Sequence, residues 1–258
     1  MTYRVLDVET TGFPSDQKDG DPTGMMEIAW TDLSIDGVIK PPVSMLVDSG
    51  IPVSIGARAV HHISDEMVAG EINPSEACGL AAQGDHIFVC AHNIDHEKHY
   101  IGPGVALGTD IERSWICTYK VAFRFWPEAP GHKLMELRYF LKLDDAEDFD
   151  PKLATPPHRA GADSYVCAHL LRRVLAEAKA QNIEHDRLVK WSSGPALLVM
   201  CWMKKHKGQT WATVAREDRP YLEWIVSDKC DLQDRDIRAT VRYWLRQTEG
   251  QKTSGQKT

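Results

Sequence analysis

Tyr3-Arg4-Val5-Leu6-Asp7-Val8-Glu9-Thr10-Thr11-Gly12 reads as an apolar β-strand that turns acidic at its far end. Residues two apart on a strand point to the same face. Asp7 and Glu9 therefore present two carboxylates side by side, while Leu6 and Val8 face the core. Adjacent carboxylates repel unless a cation lies between them, and their oxygens suit hard divalent ions such as Mg²⁺. Gly12, just past the strand, allows backbone to approach a ligand closely. An Asp-x-Glu strand end is more often simply solvated, so the chemistry depends on what the rest of the chain brings to it.

Outward from this strand, Met26–Leu33 and Val43–Val47 read as two more strands, after a polar loop over Pro14–Gly24 rich in Pro, Gly and Asp. Ser64 followed by Asp65-Glu66-Met67-Val68 has the hydroxyl cap and acidic first turn of a short helix. His86–Ala91 and Trp115–Cys117 are short apolar runs of buried-strand type. Tyr119–Trp126 and Leu134–Leu141 have helical spacing. The clearest helix is Asp163–Ala180, where Val166, Leu170, Val174 and Ala178 recur at four-residue steps. Strands first and then strands alternating with helices predict an α/β core with a mixed sheet. A polar stretch at 180–190 reads as a linker. Residues 191–246 read as a small basic, α-rich module ending in a helix from Asp234 to Arg246, and 247–258 as a disordered tail.

The chain of 258 residues can bury one good core plus a smaller module. It has no run of about 18 apolar residues, which excludes a membrane helix. The opening residues lack the pattern of a secretory signal. The six cysteines are scattered without a Cys-x-x-Cys pair, so they read as reduced, buried thiols of a cytoplasmic protein rather than a zinc site or disulfide frame. Net charge is −7, but from Asp186 onward 14 basic residues outweigh 9 acidic ones, leaving −12 for the rest. An acidic body that collects metal beside a basic module that tracks phosphates fits this split, as does ordinary surface variation.

Two further stretches carry chemistry-bearing side chains. Ala91-His92-Asn93-Ile94-Asp95-His96-Glu97 follows the His86–Ala91 strand, and His158-Arg159-Ala160-Gly161-Ala162-Asp163 follows Pro156-Pro157. Prolines favour entry into a helix, which puts Asp163 on the helix and His158 in the approach to it. A histidine there can take a proton from water near neutral pH.

Strand carboxylates, an acidic helix start after a middle strand, and His-x4-Asp before the last core helix occur here in a specific order. In that order the chain resembles the DnaQ-like, DEDD-type 3′→5′ exonucleases of the histidine subclass. The resemblance covers nearly all of residues 1–179, including Met26-Glu27-Ile28-Ala29, Ala59-Val60-His61-His62-Ile63-Ser64 and Ala91-His92-Asn93. Trp115-Ile116-Cys117-Thr118-Tyr119-Lys120, Phe125-Trp126-Pro127 and Arg219-Pro220-Tyr221-Leu222-Glu223-Trp224 are similar to the exodeoxyribonuclease X type within that family. The resemblance implies a ribonuclease H-like sheet and hydrolysis with two Mg²⁺ ions, Mn²⁺ substituting. It implies Asp7 bridging both ions, Glu9 and Asp163 completing the first site, and His158 as general base. Thr10, Thr11, Gly12, His61 and Asn93 would contact the terminal nucleotide of a DNA 3′ end, single- or double-stranded. RNA is the alternative substrate, protein partners stay unknown, and 5′-mononucleotides would be released.

One position departs from the family pattern: its second acidic motif has Asp four residues after Asn, where this chain has Glu97. On a helix begun at Ile94, positions 95 and 97 lie about 200° apart and cannot share a face. Glu97 keeps the family register and is preferred over Asp95. Its arm is longer by about 1.5 Å, so it either replaces a water on the metal or weakens the site. The second outcome keeps open a poorly active or inactive nuclease-like protein that binds nucleic acid. His96 reads as a packed histidine. In the C-terminal module, Lys204, Lys205 and Lys207 are candidates for phosphate contact, whereas Trp191, Trp202, Trp211, Trp224 and Trp244 read mostly as core. Lys120 and Arg124, one helical turn apart, either touch the DNA backbone or form a solvated face.

Overall fold

The computed structural model describes residues 2–12, 23–101 and 115–254. Its sheet has five strands, β1 (Thr2–Thr10), β2 (Met25–Ser34), β3 (Val43–Leu46), β4 (His86–Ala91) and β5 (Trp115–Cys117), in the order β3-β2-β1-β4-β5. β2 runs antiparallel to both β1 and β3, whereas β1, β4 and β5 run parallel. This is the mixed α/β sheet expected from the sequence. The helices of the first part are α1 (Ile55–His61), α2 (Asp65–Val68), α3 (Pro74–Ala81), α4 (Ile94–Ile101), α5 (Thr118–Phe125), α6 (Leu134–Phe140), α7 (Ala160–Ala180) and α8 (His185–Ser193). After them come α9 (Trp211–Glu217), α10 (Arg219–Val226) and α11 (Arg235–Ser254).

Alternation along β1 gives each sheet face its own core. Tyr3 and Val5 join Val121, Leu137 and the buried stripe of α7. Leu6 and Val8 join Ile28, Cys78 and Ile94 on the side of α3 and α4. Asp7 and Glu9 continue the Tyr3–Val5 row, so the carboxylates lie on the face covered by α7 rather than on an open face. α7 runs for 21 residues because Val166, Leu170, Val174 and Ala178 form one continuous buried stripe.

Residues 180–190 are not a linker. α8 occupies most of the stretch, its Leu188 is fully buried in the first core, and Ile183 and Val189 pack beside it. The polar look of the sequence came from Asp186, Arg187 and Lys190 on the outer side of an amphipathic helix. Trp191 also packs on this first core. A separate cluster of Cys201, Trp211, Val214, Leu222, Ile225, Ile237 and Val241 holds α9, α10 and α11 together. Trp244 packs against it, but Trp202 and Trp224 are 57% and 43% exposed, so these two are not core. α11 continues through Ser254, past the expected end at Arg246, and the tail residues 255–258 lie outside the described residues. So does most of the Pro14–Gly24 loop. All six cysteines are buried and unpaired. Among the described residues no helix is long and apolar enough to cross a membrane.

Candidate active site

The end of β1 meets the start of α7 at an acidic cluster. One carboxylate oxygen each of Asp7, Glu9 and Asp163 lies within 4.8 Å of the others. Burial pushes the Asp7 carboxyl well up from the ordinary range, and the nearby charges of Asp163 and Glu9 push it further. Glu9 is raised to about 8, by burial and then by Asp163. Asp163 is raised to about 6 by burial, while His158, through its charge and a backbone hydrogen bond, works in the opposite direction. Glu97, in the first turn of α4, is raised well above its usual value, mainly by burial. Glu97 Oε2 and Asp163 Oδ1 are buried without a hydrogen-bond partner. Unpartnered acidic oxygens gathered in one place fit an oxygen-ligated divalent cation, which would supply both the missing partners and the missing charge.

Above the carboxylates opens a cavity of about 740 Å³. Asp7, Glu9, Glu97 and Asp163 line its acidic part, and Val8, Ala57, Val60 and Leu134 its apolar part. His158 is also at its wall, exposed and in a left-handed conformation with φ 59°, two residues before α7 begins. Asp95 is absent from the lining. It points away to Lys120, at 2.8 Å, so the helix geometry selects Glu97 as the acid facing the cavity. His96 shares the wall, in edge contact with Tyr100, and burial lowers it to about 4.

The residues expected at the nucleotide pocket divide into two groups. Thr10, Gly12, His61 and Asn93 line the cavity. Both ring nitrogens of His61 are already engaged, Nε2 with the Thr10 carbonyl at 3.0 Å and Nδ1 with the Ile63 N–H at 3.0 Å. Thr11 is fully buried, and its hydroxyl accepts from the Gly24 N–H at 2.9 Å. Thr11 therefore shapes the loop and offers no side-chain group to a ligand. Thr10 donates to the Gly12 carbonyl, which also accepts from the Tyr100 hydroxyl at 2.9 Å. Asn93 is exposed with φ 99°, on a turn braced by His92, whose ring bonds to Thr118 Oγ1 and the His132 carbonyl.

Lys120 and Arg124 do not form a free DNA-facing pair. Lys120 is 3% exposed and donates to Asp95 and to the Ser192 carbonyl, which ties α4, α5 and the end of α8 together. Arg124 stacks over Trp191 at 5.6 Å. In the C-terminal part, Lys205 pairs with Asp218 at 2.6 Å and covers Tyr221. Lys204 and Lys207 are exposed and have no partner among the described residues.

Glu27, in Met26-Glu27-Ile28-Ala29, carries no assigned role from the sequence alone. The structure makes it a hub at the edge of the cluster: Arg159 Nε and Nη2 donate to it at 2.9 and 2.8 Å, the Ala160 N–H at 3.0 Å and Ser44 Oγ at 2.6 Å. A buried acid within an apolar strand was the available signal, because such a group needs a partner. The partner, 132 residues away, was not legible.

No protein-family model matches the chain. It is 28% identical to exodeoxyribonuclease 10 of Escherichia coli over 249 residues, 95% of this chain and 99% of that protein. It is 27% identical to a PolC-type DNA polymerase III of Lacticaseibacillus paracasei over 181 residues, which is 68% of this chain but 11% of the polymerase. Among solved structures, exonuclease X in complex with 5′ overhanging duplex DNA matches at a TM-score of 0.56 and 30% identity, over 74% of this chain and 99% of that one. Escherichia coli exonuclease I bound to an oligonucleotide matches at a TM-score of 0.53 and 13% identity, over 70% of this chain and 42% of that one, a likeness of fold alone.

Proposed function

The chain belongs to the DnaQ-like 3′→5′ exonucleases of the DEDDh type, with their ribonuclease H-like fold, and on that premise we propose how its own residues carry the activity. The reaction is metal-dependent hydrolysis of DNA from the 3′ end, releasing 5′-mononucleotides. We assign Asp7, Glu9, Asp163 and Glu97 to holding two Mg²⁺ ions, with Mn²⁺ as a substitute. The single observation that carries this is the meeting of Asp7, Glu9 and Asp163 oxygens within 4.8 Å on the wall of an open cavity.

Bound divalent cations activate the attacking water and offset the charge that develops on the leaving 3′ oxygen. The chain's side chains do the rest. His158 stands exposed at the cavity wall, so its ring can take a proton from the attacking water and pass it to solvent. Its position five residues ahead of Asp163 keeps it next to the proposed metal ligands. Ala57, Val60 and Leu134 offer an apolar wall to the terminal base and sugar, with Gly12 and Asn93 beside it. His61 and Thr11 act on this pocket only through the backbone they brace. Residues 1–179 would carry the chemistry and 191–246 would hold the strand behind it, with Lys204 and Lys207 on its phosphates. A cytoplasmic location is part of the same reading and accords with six buried, unpaired thiols.

The test is a panel of 5′-labelled and 3′-labelled DNA oligonucleotides, with matched RNA, incubated with Mg²⁺ or Mn²⁺. Wild type should shorten 5′-labelled DNA stepwise and release labelled mononucleotide from the 3′ end. Asp7→Ala should lose about a thousandfold or more, since the metal site supplies several kcal/mol of the barrier reduction. Intact DNA and RNA with either ion would sink the proposal; faster RNA cleavage would change the substrate.

A further inference from the structure

We propose that Glu27 is a positioning residue for this site, acting through the entrance of α7 and not on metal or DNA directly. The inference rests on the exonuclease reading above. Glu27 stands opposite Glu9 in the β1–β2 register, on the same sheet face and next to the acidic cluster. It is nevertheless unsuited to be a ligand. An ionised carboxylate has about four acceptor sites, and four donors from Arg159, Ala160 and Ser44 fill them. The group is 2% exposed and fully satisfied.

Three of these four donors come from the beginning of α7, and the fourth, Ser44 Oγ, from β3. Arg159 is the residue before the helix, and its side chain caps nothing in the helix itself. The cap comes instead from another strand, since Glu27 accepts the Ala160 N–H. One helical turn on, the buried hydroxyls of Ser164 and Thr31 meet at 3.0 Å. Glu27 and Thr31 lie on one face of β2, and Ala160 and Ser164 are i and i+4 on α7. Between these two attachments sits Asp163, and just before them sits His158.

The third attachment is steric. A Cβ on Gly161 would come within 3.3 Å of the Ser44 Cβ and 4.0 Å of Pro42, so α7 begins flush against the segment carrying β3. Together these contacts fix the axial position and rotation of α7 using groups outside the metal cluster. This matters because Asp163, Asp7 and Glu9 repel one another once they are ionised with no cation between them. Glu27 resists that repulsion and keeps the Asp163 carboxylate at a distance where one ion can be shared.

The experiment compares Glu27→Gln, Arg159→Lys and Ser44→Ala in the full chain. Steady-state cleavage of a DNA oligonucleotide gives kcat and KM. Titration calorimetry with Mn²⁺ alone gives metal affinity without turnover, and melting in EDTA identifies any variant that is unfolded. Groups that orient metal ligands are worth about 10–100-fold in affinity or activity. Glu27→Gln should therefore lose roughly a hundredfold in kcat and at least about tenfold in Mn²⁺ affinity, with KM for DNA within about threefold. Arg159→Lys, which keeps the charge and loses the two-pronged contact, should fall about tenfold, and Ser44→Ala about threefold, with Mn²⁺ affinity in the same order. Wild-type kcat and Mn²⁺ affinity in both Arg159→Lys and Ser44→Ala would overturn the inference, whether or not Glu27→Gln folds. A rise in KM alone would also overturn it. Mn²⁺ binding by a wild type that cuts no nucleic acid defeats the exonuclease reading, and the affinity series then still decides the role of Glu27.

Discussion

Glu9 and Glu27 are direct partners across two neighbouring strands, on one sheet face, and they live in opposite electrostatic conditions. Glu9 sits among carboxylates, and burial raises it to about 8. Glu27 is more buried but holds an arginine, a helix N–H and a hydroxyl. The difference separates two uses of a buried acid. One is left short of partners, at a cost to stability, and a cation would complete it. The other is completed by the protein and fixes where the first one's partners stand.

The largest effect that would break this contrast comes from Glu9→Gln. It should lower kcat about a thousandfold by removing a ligand, yet raise the melting temperature of the metal-free protein at pH 8. The sign follows from linkage. Folded Glu9 keeps its proton up to about pH 8 whereas the unfolded chain releases it near 4.5, so metal-free wild type loses stability as pH rises through that window. His92, His96 and His169, lowered to about 4, act the other way, but only between pH 4 and 6.5. Between pH 6.5 and 8 the carboxylates act alone. Glu9 then accounts for roughly 2 kcal/mol, a fall in melting temperature of roughly 5 °C. Scanning calorimetry in EDTA, repeated with Mn²⁺, measures this. A flat or rising melting temperature in EDTA would remove the claim that Glu9 is kept short of partners.

A smaller effect concerns Glu97, whose Oε2 is buried and unpartnered like Asp163 Oδ1. If it belongs with Glu9 and not with Glu27, Glu97→Gln should cost about a hundredfold in kcat, and Glu97→Asp, shorter by about 1.5 Å, about tenfold or less. Kinetics at several Mn²⁺ concentrations would show whether the loss lies in metal affinity. A Gln variant with wild-type activity would leave a three-carboxylate site.

The contrast between these acids was only half legible in the sequence. Alternation placed Asp7 and Glu9 on one face, and helical spacing gave α7, because both are local repeats of the chain. The grouping of His158 and Asp163 with them came through the ordered motifs. Long-range partners were not legible. Lys120 read as a surface cation because nothing near it in sequence announced Asp95, 25 residues back, or the Ser192 carbonyl, 72 residues on. His61 and Thr11 read as ligand-facing groups because a side chain's chemistry does not reveal whether backbone already occupies it. The stretch that forms α8 reads as a linker because its polar outer face outnumbers the apolar side that Leu188 buries.

The smallest expected effect carries the contrast into the C-terminal part, where Lys205 is held by Asp218 and Lys204 and Lys207 are exposed without a partner among the described residues. A cation already paired releases fewer counterions from DNA than one that is not, so the two kinds should differ in salt dependence. Each phosphate neutralised contributes about 0.7–0.9 to the slope of log affinity against log salt. Replacing Lys204 and Lys207 by Ala should flatten that slope by about 1.4–1.8 and weaken binding several-fold at moderate salt, with kcat held. Lys205→Ala should flatten it less, because the Lys205 charge is already offset by Asp218. Fluorescence anisotropy of labelled single-stranded DNA over a salt series, with divalent cations removed by EDTA, separates the two. Equal slopes for the double variant and wild type would take the basic turn out of the DNA path and leave substrate holding to the cavity alone.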